Sequence, residues 1–250
     1  MGKLKGYLPI EGTVGELTFV KTEDGIIVKK KSGVSKSRIQ NSKSYKLTRQ
    51  NNAEFGRTGK AAGLLYSALR TETKNADSKA VSRLVQLLSA ALKADTTSAR
   101  GERTVQDGNP ELLTGFEFNR HAAVNTLLKA GYSAAVNRVT GALSVTIDPF
   151  TPLDDLSYPE EASHYCINVV GAELHFGTEA FVKELDTTGT LAINGTPTSS
   201  NVLTAQLPAA ATGTLVLALS ICFFQNTNGT LERMSNKDHK ALAILAVDHS

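Results

Sequence analysis

The sequence predicts a two-part α+β protein, in which a β-hairpin arm and a helical pair precede an antiparallel, immunoglobulin-like β-sandwich. Two patterns predict it. Helix-period apolar stripes are confined to about residues 42–94, and short alternating runs separated by turn formers fill the chain from about residue 131. The chain has 250 residues, 41% of them hydrophobic, which suffices for a packed core. A polar, turn-rich stretch at 96–112 predicts a boundary, with domains at 1–110 and 111–250.

The amino-terminal arm is predicted to be a β-hairpin. An alternating run at 15–20 and an apolar run at 26–28 flank Asp24-Gly25, a favoured hairpin turn. Two isolated strands are marginal in water, so the hairpin needs a partner. We expect residues 1–30 to be exchanged with a neighbouring copy by strand addition. The side chains expected to mediate this exchange are Leu17, Phe19, Ile26 and Val28.

Two helices are predicted, over about 42–70 and 78–94. The first has an apolar face formed by Leu47, Phe55, Ala62, Leu65, Tyr66 and Leu69, and an opposite basic face formed by Lys46, Arg49, Arg57 and Lys60. Glycines at 56, 59 and 63 predict either a break in this helix or the close approach of another backbone. The second helix carries a continuous apolar stripe from Val81 to Leu92, and Asp77 or Ser78 can cap it.

Six to eight short strands are predicted in the carboxyl-terminal part. The runs are 133–139, 142–147, 164–176, 180–185, 191–194, 202–207, 215–225 and 241–247. Such spacing is typical of an antiparallel sandwich. The clearest strand, 215–224, is apolar on both faces, which predicts a central strand or one covered by a partner.

Charge is segregated along the chain. The net charge of +3 combines +11 in residues 1–100 with −8 in residues 101–250. A basic amino half can bind a polyanion, or it can meet the acidic half of a neighbouring subunit. Only head-to-tail self-association explains both halves. The predicted acceptor is a proline-punctuated loop that carries Asp154, Asp155, Glu160 and Glu161.

Catalytic and cofactor motifs are weak in this sequence. The two cysteines, Cys166 and Cys222, have a separation that would suit an inter-sheet disulfide, but both fall opposite the heavily apolar strand faces, so we expect free thiols. Gly56-Arg-Thr-Gly-Lys60 departs from a phosphate-binding loop, since Glu54 and Ala61 replace the required residues. The five histidines lack ligand spacing. We therefore expect no enzyme, no cofactor and no metal site.

The amino-terminal block resembles a widespread family of uncharacterised bacterial proteins of similar length. The segments that carry the resemblance are Lys5-Gly-Tyr-Leu-Pro-Ile-Glu-Gly-Thr-Val-Gly-Glu-Leu-Thr-Phe19, Gly33-Val-Ser-Lys-Ser-Arg38, Thr48-Arg-Gln-Asn-Asn-Ala-Glu-Phe-Gly56, Ser98-Ala-Arg-Gly-Glu-Arg103 and Gly115-Phe-Glu-Phe-Asn119. The resemblance covers about the first 120 residues and implies no activity. The layout of arm, helical pair and sandwich is similar to that of phage-derived tail or virion structural proteins.

These observations predict a non-enzymatic structural subunit that self-associates into a filament, tube, ring or virion-like assembly. The alternative is a nucleic-acid-binding module that uses the basic first half, and a solvated helix face is the simplest interpretation of the cations. The partners are then other copies of the chain, or nucleic acid. No apolar run is long enough for membrane insertion. No signal peptide is apparent, so we expect cytoplasmic synthesis, with a virion-like or extracellular destination still open.

Overall fold

The computed structural model describes residues 2–4, 11–23, 25–30 and 33–249. Helices and mostly antiparallel sheets confirm the α+β class. The chain forms two compact units, Met1–Arg49 (the first unit) and Gln50–Ser250 (the second unit). The division predicted near residue 110 therefore falls inside the second unit.

The first unit contains a four-stranded antiparallel sheet. Its strands are β1 (Gly2–Leu4), β2 (Gly12–Val14), β3 (Leu17–Thr22) and β4 (Gly25–Lys30), in the order β1-β4-β3-β2. β3 and β4 form the predicted hairpin, which carries a short strand on each side. A short helix, α1 (Lys36–Asn41), follows, and the Ser35 hydroxyl accepts a hydrogen bond from the amide of Arg38 at its amino terminus.

The two predicted helices are present. They are α2 (Lys46–Ala68) and α3 (Ala80–Lys93), joined through a 3₁₀ turn at Thr73–Asn75. The expected break is wrong, because α2 is continuous. Among the residues that the structure describes, no other atom of this chain lies within 4 Å of a Cβ built at Gly56, Gly59 or Gly63. These glycines are exposed. Two further helices are short: α4 (Val124–Leu127) and α5 (Pro152–Asp155).

Two antiparallel sheets make up the rest of the second unit. The smaller consists of β5 (Tyr132–Asn137), β6 (Ala142–Ile147) and β10 (Asn201–Gln206), in the order β10-β6-β5. The larger consists of β7 (His164–His175), β8 (Ala180–Thr187), β9 (Leu191–Ala192), β11 (Thr214–Thr227), β12 (Thr230–Arg233) and β13 (Ala241–Asp248). β7 and β11 pair along their length at its centre, β8 and β9 flank β7, and β12 and β13 flank β11.

The larger sheet separates two hydrophobic cores. Along β11, Leu217 and Leu219 pack in one core with side chains of the three-stranded sheet, while Val216 and Ala218 pack in the other with α2 and α3. The prediction that 215–224 is a central strand is thus confirmed. Burying a leucine or valine side chain stabilises a fold by roughly 1.5–3 kcal/mol. α3 and the part of α2 from Gln50 onward belong to the second unit, because their apolar side chains are buried against this sheet.

Candidate functional site

The four arm residues lie on one face of the sheet in the first unit. Phe19 pairs directly with Val28 in the β3–β4 ladder, and Leu17 and Ile26 are each two residues away from them along the same strands. Side chains alternate across a strand, so residues two apart share a face. Leu17 is 46% exposed, and the other three are half-buried. The sheet therefore presents an apolar strip that is not enclosed.

The first unit has no hydrophobic core among its described residues. Within 11–23, 25–30 and 33–49, every side chain is half-buried or exposed. A small sheet normally needs a covered apolar face for stability. This unit also carries 11 basic and 4 acidic residues, a net charge of +7, whereas the second unit carries 16 and 20, a net charge of −4. An open apolar strip and a strong positive charge thus occur in the same unit.

Of the four cations on the predicted basic face of α2, Arg49 and Arg57 donate hydrogen bonds to backbone carbonyl groups, whereas Lys46 and Lys60 form no such bond within the described residues. Arg49 Nη1 donates hydrogen bonds to the carbonyl oxygens of Ile39 at 2.7 Å and Ser42 at 2.8 Å. Lys60 Nζ forms an ion pair with Glu179 Oε1 at 2.5 Å, and both side chains are largely exposed. Such a surface pair contributes at most about 1 kcal/mol. Lys46 is exposed.

Arg57, the remaining member of the basic face, anchors a loop to α2. Its Nη1 donates to the carbonyl oxygens of Gly101 at 2.6 Å and Arg103 at 3.2 Å. One turn earlier on the helix, the buried carboxylate of Glu54 accepts a hydrogen bond from the amide of Gly101 at 2.8 Å. Arg57 is therefore a structural contact of the loop, and its guanidinium is not free to meet a partner.

A different group of cations surrounds a cavity of about 520 Å³ beside α2, which we call the cation cavity. Its charged lining comprises Lys93, Arg100, Arg103 and Glu54, with Phe55 beside them. Lys93 and Arg100 are exposed, and Arg100 Nη2 donates to Asn51 Oδ1 at 2.9 Å. The Nε of Arg103 is buried without a hydrogen-bond partner and lies 4.0 Å from a Glu54 oxygen.

The sequence did not indicate this cavity. Leu47 and Phe55 are predicted to face the core, but they are 57% and 68% exposed. The apolar face of α2 is buried only from Ala61 onward, where Leu65 and Leu69 meet the large sheet. The Arg-x-x-Arg spacing at 100–103, inside the stretch predicted to be a domain boundary, is the one available signal in the sequence.

The acidic loop, defined by Asp154, Asp155, Glu160 and Glu161, lies at the surface of the second unit. Asp155 Oδ2 accepts a hydrogen bond at 2.7 Å from the amide of Thr151, the residue that precedes α5. Asp154, Glu160 and Glu161 are exposed, and no ion pair to them is found within the described residues. Lys129 Nζ binds the carbonyl oxygen of Asp154, not its carboxylate. Three carboxylates are thus available to a partner.

A buried polar cluster joins the loop after α2 to the helix-facing side of the large sheet. Glu72, which is 4% exposed, accepts hydrogen bonds from the hydroxyl of Ser220 and from Asn168 Nδ2. Arg233 Nη2 lies 3.8 Å from the same carboxylate and donates to Asn75 Oδ1 at 2.9 Å. A buried carboxylate is tolerated when it is paired and hydrogen-bonded in this way. The cluster fixes the connection between the two helices.

The two cysteines lie next to this cluster and are register partners on β7 and β11. Both are buried and free. Because they belong to the same sheet, a disulfide between sheets is not possible. A hydrogen bond from the Cys222 thiol lowers the pKa of Cys166 to about 6. The same interaction, together with burial, raises the pKa of Cys222.

Glu117 is a second unusual carboxyl group. Burial raises its pKa to about 7, although a hydrogen bond from the amide of Val124 at 3.2 Å acts in the opposite direction. Its other oxygen, Oε2, is buried and has no hydrogen-bond partner. The side chain lines two cavities of about 590 and 430 Å³. Sequence patterns gave no sign of this residue.

Metal-ligating groups do not converge in the part of the chain that the structure describes: no cluster of three or more His, Cys, Asp or Glu side chains there could hold a metal ion. Among those same residues, no helix is both long and apolar enough to cross a membrane. No protein-family model matches the chain, and the comparison with curated proteins finds no similar sequence. Function must therefore be inferred from the charges, exposed faces and contacts of the chain itself.

Proposed function

We propose that this protein is a non-enzymatic structural subunit that self-associates into a filament, tube, ring or virion-like assembly. The observation that carries the proposal is the first unit, whose sheet has an open apolar strip, which has no buried side chain within 11–23, 25–30 and 33–49, and which carries a net charge of +7. The second unit carries −4. Binding of one copy's first unit to the next copy's second unit would cover the strip and pair the charges.

An edge strand of the second unit supports this proposal. Within the described residues β8 forms a β-ladder with β7 alone. Near its carboxyl end the Asp186 side chain accepts a hydrogen bond from the Thr204 amide of β10 at 2.7 Å, so the edge without a neighbouring strand is that of 180–185. Phe181, Val182 and Leu185 on β8 are exposed. An open edge with apolar side chains favours the addition of a strand from another chain. The arm of a neighbouring copy is the strand that we propose for it.

The immunoglobulin-like arrangement of the two sheets belongs to the same proposal. A core shared by the three-stranded sheet and the six-stranded sheet supports it. The helical layer on the other face of the larger sheet is an addition to a two-layer sandwich. We therefore propose a sandwich with a third, helical layer.

Nucleic-acid binding is the second candidate, favoured by the charge of the first unit. Arg49 and Arg57 count against it, because backbone carbonyl groups already occupy their guanidinium groups. Binding to phosphates would require these residues to release those contacts. An experiment can distinguish the two candidate functions, because nucleic-acid binding requires an added polyanion and self-association does not.

The test is negative-stain electron microscopy and sedimentation velocity of the purified full-length chain at low (about 0.05 M) and high (about 0.5 M) salt. We expect regular assemblies at low salt and their partial dissolution at high salt, because screening weakens the charge contact. Monomers under both conditions would contradict self-association. A steeply salt-dependent complex with added nucleic acid would then favour the alternative.

Two matched variants test the arm in the full-length chain. Phe19→Asp places a charge on the apolar strip, whereas Thr18→Asp places the same charge on the opposite face of β3. We expect Phe19→Asp to abolish assembly and Thr18→Asp to preserve it, with the far-ultraviolet circular dichroism of both unchanged. Equal behaviour of the two variants would show that the strip is not the contact.

A further inference from the structure

We infer that the cation cavity of one copy binds the acidic loop of a second copy, with Asp154, Glu160 and Glu161 facing Lys93, Arg100 and Arg103. This inference rests on the proposed function and adds to it a charged contact between the second units of neighbouring copies. It replaces the predicted basic face, two of whose cations, Arg49 and Arg57, are bound to carbonyl groups. The occupant is therefore a segment of this same chain in another molecule.

The cation cavity has unused positive charge. Of its four charged side chains three are cationic, and the one carboxylate, Glu54, is buried and already accepts the amide of Gly101. Arg103 is already ion-paired with Glu54 at 4.0 Å. Lys93 and Arg100, by contrast, are exposed and have no ion pair among the described residues, Arg100 having only the neutral partner Asn51. A guanidinium next to a cavity binds carboxylates well, since its donors match both oxygens. The cavity thus suits an acidic segment.

The acidic loop has the complementary composition. Leu153, immediately before Asp154, is 51% exposed, so an apolar side chain stands beside the free carboxylates. Phe55 offers an exposed ring beside the cations of the cavity. Apolar contact between Leu153 and Phe55 would accompany the ion pairs. This combination favours a protein segment over a free inorganic anion, which would use the cations and leave the ring exposed.

The two patches belong to opposite layers of the second unit. Lys93 follows Leu92, which is buried in the core between the helices and the large sheet. Asp155 precedes Leu156, which is buried in the core on the other face of that sheet. A single copy therefore cannot join its own patches. A contact between unlike patches of two copies is heterologous, and it produces a ring or an open filament.

Charge reversal in the full-length chain tests the pairing. Arg100→Glu and Asp154→Lys should each weaken the association measured by sedimentation velocity about 10-fold or more, because several neighbouring charges act together. The double variant should recover much of it, since the pair is restored with its signs exchanged. Lys79→Glu is the matched control, because Lys79 is exposed at the start of α3 outside the cavity lining. We expect it to associate as the unaltered chain does.

The outcomes separate this inference from the proposed function. A monomeric unaltered chain would overturn both. Normal association of Arg100→Glu, with Phe19→Asp still dispersing the assembly, would overturn only the cavity contact. Failure of the double variant to exceed the two single variants would also overturn it. If Arg100→Glu does not fold, as judged by circular dichroism, the exposed Lys93→Glu variant gives the same comparison.

Discussion

At the scale of single residues, Gly101 holds the cation-bearing loop against α2. Its φ is +93°, its amide donates to Glu54, and its carbonyl accepts from Arg57. A Cβ at this position would lie 2.7 Å from the Cγ of Gln50 and 3.1 Å from its Cα. Backbone conformation and space therefore both require glycine here. The orientation of Arg100 and Arg103 depends on this one position.

We expect Gly101→Ala to lower the free energy of unfolding by about 2–4 kcal/mol, from the left-handed backbone and the clash together. Gly189→Ala is the control: its φ is +68°, but nothing lies within 4 Å of the added Cβ. It should lose only about 1–2 kcal/mol. Urea unfolding followed by circular dichroism measures both. Equal losses would show that the contact with Gln50 contributes nothing.

The same scale explains why the sequence could not reveal the site. Glu54 and Gly101 are 47 positions apart, so no local sequence pattern predicts the hydrogen bond between them. The faces of Cys166 and Cys222 could be predicted, because alternation along a strand is a local property. The apolar stripe of α2 predicts Phe55 in the core, but a stripe does not show how far along the helix the neighbouring layer extends, and Phe55 is 68% exposed. Local periodicity thus predicts the face on which a side chain lies, but not whether another layer of the protein buries that face.

At the scale of elements, the long ones were predictable and the short ones were not. The hairpin 17–30, the helices α2 and α3, and the central strands β7 and β11 follow from apolar periodicity over six or more residues. β1, β2 and β12 have three or four residues, too few to show a period of two. Their pairing depends on neighbours already in place.

The segment at 115–118 is a short element that completes the large sheet along β13. Gly115 and Phe118 donate their amides to the carbonyl oxygens of Ile244 and Leu242, and Glu117 forms a β-bridge to Ala243. This covers the outer edge of β13 with backbone hydrogen bonds, while the Glu117 carboxyl is left partly buried. The raised pKa of that carboxyl is a consequence of this position.

The raised pKa of Glu117 predicts that the stability of the fold depends on pH. Because its pKa is raised from 4.5 to about 7, the folded state binds more protons than the unfolded state between these values, so stability falls as the pH rises through that window. Glu117→Gln should remove this fall. Relative to the unaltered chain, the free energy of unfolding of the variant should rise by about 1–3 kcal/mol between pH 5 and pH 8. The upper value corresponds to the full pKa shift, and solvent screening of the partly exposed carboxyl reduces it. Urea unfolding at several pH values measures it, and a constant difference would contradict the shift.

At the scale of the whole molecule, charge follows the architecture. Residues 50–110, which contain most of α2 and all of α3, carry 9 basic and 6 acidic residues, while 111–250 carry 7 and 14. The net charge thus passes from +7 in the first unit to +3 in the helical layer and −7 in the β-rich remainder. This asymmetry follows from the order of residues in the chain alone, and the structure shows which charges already have partners. Copies arranged head to tail would alternate these charges along the assembly.

The two units should also differ in stability. Amide hydrogens of β3 and β4 belong to strands without a buried side chain in 17–23 and 25–30, whereas those of β7 and β11 lie between two cores. Below the concentration at which the chain assembles, we expect hydrogen–deuterium exchange by mass spectrometry to be at least about 100-fold faster in β3–β4. In the assembly the β3–β4 amides should become protected, because a neighbouring copy then covers the apolar strip. Fast exchange in β3–β4 that persists in assembled material would mean that the arm lies outside the contact, and slow exchange in the monomer would mean that the sheet is stable alone.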